Sequence, residues 1–210
     1  MCFINRLVAL ATAIVCTLSI SAQTTAREMW IEMPDSLCPL LTRNLRSEIT
    51  EYIDLDAEPV LLNRMKTETR IDTMTADYIS VKITKVSRIE IKLLRKSDAE
   101  TIVCMAYTYN APEEDTELSF WTTNWEPLDS RRFVNTNGVD CFQKPDSMTV
   151  ERFEELKKYM QPRLLAIHLS PYSDELIVNP SIPLVSKEDR LLLESIVVQR
   201  KLKWDGVKFN

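Results

Sequence analysis

Apolar residues follow three rhythms along this chain, and each predicts a different kind of element. Leu37, Leu40, Leu41, Leu45, Ile49 and Ile53 recur every three or four positions. That spacing lines one face of a helix, or of a helix pair, running from Met33-Pro34-Asp35-Ser36 to about Asp54. Asp35 or Ser36 can cap its start, Pro39 suits its first turn, and Pro59 marks its exit. From Tyr78 the period shortens to two. Ile79, Val81 and Ile83 alternate with Ser80, Lys82 and Thr84, and Ile89, Ile91 and Leu93 alternate with Glu90 and Lys92. Thr101 to Tyr109 and Thr116 to Thr122 continue the series across short polar breaks, which predicts a four-strand antiparallel meander. Helical spacing returns at Val150, Phe153, Leu156 and Met160, after a start near Ser147 or Thr149 and before Pro162. Leu164 to Leu169 and Glu175 to Val178 predict a further hairpin. Ser186 caps a last helix through Leu191, Leu192, Ile196 and Val197, and Trp204-Asp205-Gly206-Val207 predicts a two-residue turn joining Lys201–Trp204 to Val207–Phe209.

The third rhythm is an unbroken apolar run, Leu7 to Ile20, behind a single positive charge at Arg6. Ser21 and Ala22 then supply small residues. The pattern is that of a secretory signal peptide over 1–22, cut between Ala22 and Gln23, because the run is shorter than the ~20 apolar residues a spanning helix needs. A lipid anchor would need a small residue before its cysteine, and Val15 precedes Cys16. The expectation is a periplasmic or secreted protein, released by cleavage and with no membrane span afterwards. What remains is about 190 residues, enough for one domain over 23–210, or for two similar halves (30–130 and 147–210) sharing a core. Together the patterns predict an α+β fold: an antiparallel β-meander with helices packed mainly on one face. A faint echo between Ala106–Leu118 and Ala166–Leu176 is what raises the two-halves alternative, and its matches are few enough for coincidence to explain them equally well.

Charge and composition narrow the chemistry. The formal charge is −5, and losing Arg6 with the signal makes it −6, so nucleic acid is not an expected partner. The chain has two glycines, Gly138 and Gly206, and one histidine, His168. Phosphate-cradling loops and nucleophile elbows need closely spaced glycines, and none are present. A zinc site of the H-E-x-x-H type is impossible with one His. No cofactor or metal is implied. His168 lies on a strand with apolar neighbours, Leu164 and Ala166, and reads as structural. Cys38, Cys104 and Cys141 sit in apolar patterns and read as buried small hydrophobes, with one disulfide open but unsupported by spacing. Glu113, Glu114, Asp115 and Glu117 read as a solvated acidic hairpin tip.

Tyr107, Tyr109, Trp121 and Trp125 gather at the last two strands of the meander. Alternation puts Val103, Met105, Tyr107 and Tyr109 on one face and Cys104 and Ala106 on the other. Exposed, the rings would be a binding surface for protein or sugar; packed, they would be core against the first helix, which is the preferred reading.

Met33-Pro34-Asp35-Ser36-Leu37 followed by Leu40–Asn44, the Ile89–Leu94 strand, Phe120-x4-Trp125-x-Pro127-Leu128 and the closing Trp204-Asp205-Gly206-x-x-Phe209 form an ordered set. Together they resemble an uncharacterised domain family, a domain of unknown function, found in secreted proteins of anaerobic Gram-negative gut and oral bacteria. The resemblance implies export and a shared fold, and transfers no catalytic or binding residue. It also implies a modification. Such bacteria attach O-glycans at Asp followed by Ser or Thr and a small or aliphatic residue, which makes Ser36, Thr73 and Ser147 candidates. The expected function is a noncatalytic binding or accessory module acting on a protein or glycan of the cell envelope. The alternative is a metal-independent hydrolase using a carboxylate pair.

Overall fold

A computed structural model describes residues 24–96 and 100–210. The apolar leader and the expected cleavage point at Ala22 and Gln23 lie outside the described residues. The first described element is α1, Ala26–Glu32, which the sequence reading above does not include. Its start is a capping box: Thr25 Oγ1 accepts from the Glu28 N–H, and the Glu28 carboxylate accepts from the Thr25 N–H. Ala26, Met29, Trp30 and Met33 then form a buried face at helical spacing. The second helix, α2 (Arg43–Asp54), starts later than predicted, with Thr42 as its N-cap. Leu37, Cys38 and Leu41 therefore pack from turns rather than from a helix, because Pro34 and Pro39 break the segment between the helices. Asp35 still serves the helix start, from outside it, by accepting from the Arg43 N–H at 3.1 Å.

Strands β1 (Val60–Leu62), β2 (Glu68–Met74), β3 (Tyr78–Thr84), β4 (Ser87–Arg95), β5 (Thr101–Asn110), β6 (Glu114–Trp121) and β7 (Pro127–Leu128) form one antiparallel sheet in sequence order. The meander thus has seven strands where four were expected. The added strands are short or polar: β2 is Glu-Thr-Arg-Ile-Asp-Thr-Met, with Thr69 and Ile71 as its buried positions. Strict alternation divides the sheet's two faces. Ile79, Val81, Ile83, Ile89, Ile91, Val103 and Met105 face α1 and α2. Leu94, Ile102, Cys104, Ala106 and Phe120 face the other way.

That second face is covered by a smaller antiparallel sheet, β8 (Leu165–Leu169), β9 (Glu175–Pro180) and β10 (Arg200–Lys203), in the order β10-β9-β8. Ile167, Leu169, Leu176 and Val178 meet Cys104 and Phe120 in one core with Phe133, Trp204 and Phe209. The remaining helices, α3 (Val150–Tyr159, capped by Thr149) and α4 (Lys187–Ile196, capped by Ser186), pack on each other through Leu156, Met160, Leu193 and Ile196. The fold is α+β: two antiparallel sheets, with α1 and α2 packed on the outer face of the larger one. The closing turn forms one residue later than predicted. Its central pair is Gly206-Val207, because Lys203 bonds Asn210 and Asp205 N–H donates to Lys208 O. The Asp205 carboxylate accepts the Val207 and Lys208 N–H groups, each at 2.8 Å. Gly206 takes the positive φ of 96° that the first central position favours.

Candidate functional site

The helices cover β1 to β4 and leave the β5–β6 end of their face without a helix over it. The gap is bordered by the turn segment between α1 and α2. The result is a groove of about 360 Å³, walled by Ser36, Leu37 and Pro39 on one side. Its floor is set by strand register. Met105 faces Ser119, Tyr107 faces Glu117 and Val103 faces Trp121 across the β5–β6 pair. Alternation by two therefore delivers Tyr107, Tyr109, Glu117, Ser119 and Trp121 to one surface.

The four aromatic residues singled out from sequence separate here. Trp125 is core, packed at 5.9 Å from Trp121. Tyr107 and Trp121 are half-buried against the same core, and Tyr109 is 52% exposed. The Tyr107 and Tyr109 rings lie 4.7 Å apart and tilted by 32°. Burial pushes the Tyr107 phenol above its ordinary value, so it stays a hydrogen-bond donor at neutral pH. Trp121 Nε1 donates to Ser119 Oγ at 2.9 Å, which fixes the indole along the groove. The site therefore combines ring faces with a carboxylate and hydroxyls. Glu117 is its one acidic lining residue. Two carboxylates ~5–9 Å apart are what glycoside hydrolysis requires, so the groove carries no support for the hydrolase alternative.

The wall of the groove is held from behind by Arg46 on α2, which is 1% exposed. Its guanidinium donates to the carbonyls of Leu41 (2.5 Å), Ile31 (3.2 Å) and Met33, and to Asp35 Oδ1 (2.9 Å). Nothing in a hydrophobic pattern reveals such a residue. Arg46 follows Leu45 on the helix and reads as a solvent-facing cation until the carbonyls of the preceding turns converge on it.

A second polar group lies between the two sheets. Glu90 on β4 is 3% exposed and accepts a 2.6 Å hydrogen bond from the Tyr78 hydroxyl. His168 Nδ1 is 3.5 Å from Glu90 Oε2, and its Nε2 is 3.4 Å from Glu114 Oε1. These are ion-pair distances, at the long limit for a hydrogen bond, and Glu90 Oε2 has no other hydrogen-bond partner. The bond to Glu90 raises the His168 pKa, with smaller contributions from the charges of Glu90 and Glu114, against burial and Arg88. His168 is thus a tie between sheets. Its partners are the acidic tip and a buried strand carboxylate. The tip is no free solvated turn: Asp115 Oδ1 accepts from the Leu165 N–H at 3.1 Å, and the Glu114 carbonyl accepts from Ser181 Oγ.

Cys38, Cys104 and Cys141 are all buried and unpaired. Burial pushes the Cys38 thiol up to about 11 and raises the Cys104 thiol further, which keeps both in the protonated form at neutral pH. Of the candidate modification sites, Ser36 and Ser147 are exposed in turns, while Thr73 is half-buried on β2 opposite Ser80. Among the described residues, no helix is long and apolar enough to cross a membrane.

Residues 17–209 match the family described as "Protein of unknown function (DUF3256)". The chain belongs to that family. Comparison with curated proteins finds no match. Among solved structures, a domain of an uncharacterized protein from Porphyromonas gingivalis W83 is similar, with a TM-score of 0.72. At 19% identity, covering 87% of this chain and 96% of that one, the likeness is one of fold.

Proposed function

We propose that this chain is an exported, noncatalytic binding module of the bacterial envelope, and that the β5–β6 groove takes a glycan. The observation that carries the reading is the composition of that groove. Ring faces of Tyr107, Tyr109 and Trp121 suit the C–H faces of a sugar, and Glu117, Ser36 and Ser119 suit its hydroxyls. A volume of about 360 Å³ matches one or two sugar units better than a protein surface patch. Export is supported by the Leu7–Ile20 run and the small residues after it.

The test is equilibrium binding of neutral oligosaccharides, followed by tryptophan fluorescence and calorimetry, with wild type and Tyr109→Ala. Tyr109 is exposed, so its truncation should leave stability within about 0.5 kcal/mol. Affinity should fall about tenfold, the scale of one lost stacking anchor. If no glycan binds while envelope extract yields a protein whose capture depends on Tyr109, the ligand class is wrong and the surface is right. If neither depends on Tyr109, the groove is not the working surface.

A further inference from the structure

On the side of the large sheet away from the aromatic groove, a cleft of about 510 Å³ opens between the 131–140 segment, β10 and the closing turn. In a chain of net charge −5, it is lined by Arg131, Arg132, Arg200, Lys201 and Lys208, with Asp140 as its one acidic side chain. These five come from three separate stretches of sequence, so no charge run announces them. Two are already engaged. Arg131 forms a bidentate pair with Asp129, and Arg200 Nε donates to the Asp140 carbonyl at 2.7 Å. Arg132 lies over the Phe133 ring, 5.9 Å from its centroid. Lys201 on β10 and Lys208 in the closing turn are exposed cations that line the opening.

The strand edge adds a backbone donor. Lys203 N–H donates to the Asn210 carbonyl and Trp204 N–H to the Asp174 carbonyl, both at 2.8 Å. Odd positions of β10 therefore point away from β9, and Lys201 N–H and C=O turn toward the cleft by alternation. Beneath this rim lie Phe133, Val134 and Phe209, so the cleft has an apolar base and a cationic opening. Guanidinium, ammonium and a strand-edge N–H together match the oxygens of a phosphate or sulfate group. The space exceeds one such group and suits a sugar-sized body attached to it.

We propose that this cleft binds an anionic saccharide through its phosphate or sulfate ester, at a site separate from the aromatic groove and independent of the reading of that groove. The experiment is calorimetry of the full mature protein at low and physiological salt. The probes are glucose 6-phosphate, a trisulfated disaccharide, inorganic phosphate and unsubstituted glucose. The ester-bearing probes should bind and weaken with salt, and glucose should not bind at this site. The stronger of the two esters identifies the source of the anion. Lys201→Glu with Lys208→Glu should weaken binding at least about tenfold, since two charges change sign at the rim. Tyr109→Ala should leave it unchanged. Backbone amide shifts of the wild-type protein on titration provide a readout that survives a misfolded variant; they should move at 131–140 and 200–210. Failure of both esters to bind, binding of glucose equal to its phosphate, an unchanged affinity in the folded double variant, or shifts confined elsewhere would each overturn the assignment.

Discussion

Replacing Arg46 by Met should unfold the protein more readily than any loss of surface charge, and should damage the aromatic groove with it. Met keeps much of the side-chain volume, so the change removes hydrogen bonds more than packing. The Leu41 and Met33 carbonyls lose a buried partner, and the Ile31 carbonyl loses a partly buried one. A buried acceptor left without a donor costs about 1–3 kcal/mol. Two fully buried acceptors then cost about 2–6 kcal/mol, less what is regained by no longer desolvating a guanidinium. The Asp35 carboxylate is 58% exposed and returns to water, so it adds little. A net loss of about 2–5 kcal/mol is a large part of the 5–15 typical of a domain. It corresponds to roughly 4–20 °C in melting temperature for a chain of this size. Circular dichroism melts and urea titration of wild type, Arg46→Met and Arg46→Lys measure it. Lys should recover only part, because one ammonium cannot reproduce a planar fork spanning three carbonyls. The same segment walls the groove through Ser36 and Pro39, so ligand affinity should fall in Arg46→Met even where the protein remains folded. A melt for Arg46→Met within 2 °C or so of wild type would refute the clamp and the idea that the 31–41 segment depends on it.

The His168 tie makes a pH prediction. Its folded pKa is raised by Glu90, so its stabilisation is complete below the ordinary value of 6.5 and is lost as pH rises through the folded pKa. Melting temperature should decline across that window, and His168→Gln should flatten the decline; an identical slope in the variant would dismiss the tie. The exported protein should begin at Gln23 and carry no lipid, which N-terminal peptide mass spectrometry reads directly, an intact Met1 or a lipidated cysteine being the contrary result. If O-glycans are attached, Ser36 and Ser147 should carry them before Thr73, since only those two are exposed in turns. An intact mass from the native host equal to the bare mature chain would end that expectation.

Periodicity made the large elements legible. Ile79 to Ile83 and Ile89 to Leu93 alternate because the face toward α1 and α2 is wholly apolar while the other carries Ser80, Lys82, Glu90 and Lys92, and Thr101 to Tyr109 reads as a near-continuous apolar run because both its faces are largely buried. The elements it missed have physical reasons. β2 carries charged and hydroxyl residues at its outward positions and buries Thr69, so its hydrophobic contrast is weak. α1 spans seven residues and holds one turn's worth of pattern beyond its capping box. α2 starts at Arg43 rather than near Asp35 because Thr42 is its cap, while Asp35 reaches the Arg43 N–H from across an intervening turn that local rules do not describe. The aromatic face was legible as a set of side chains but not as a groove. Its depth depends on where two helices stop covering a sheet, which is a tertiary fact. The basic cleft was illegible for the same reason, since its cations meet only when the closing turn folds beside β10 and the 131–140 segment.

The polar residues between the sheets explain how both surfaces keep their shape. An interface of Ile102, Cys104 and Ala106 against Ile167 and Leu169 has no strong preference for one relative position, because apolar contact is non-directional. Directional ties supply the preference at spaced points. Leu165 N–H meets Asp115, Ile167 N–H meets Thr116 Oγ1 at 3.0 Å, and His168 sits between Glu90 and Glu114. At the other end, buried Lys92 reaches Asp77 at 2.7 Å and Asp174 at 3.7 Å, and Trp204 Nε1 donates to the Arg95 carbonyl at 2.7 Å. Buried charges of this kind cost desolvation and add little net stability, but a shift of one sheet over the other would strand all of them at once. Two of these ties lie beside β10: Lys92 to the residue just before β9, and Trp204 to the end of β4. They hold the small sheet in the position that brings Lys201 and Lys208 to the same cleft. His168 between Glu90 and Glu114, with Tyr78 on Glu90, is thus one of several directional ties that fix one sheet over the other.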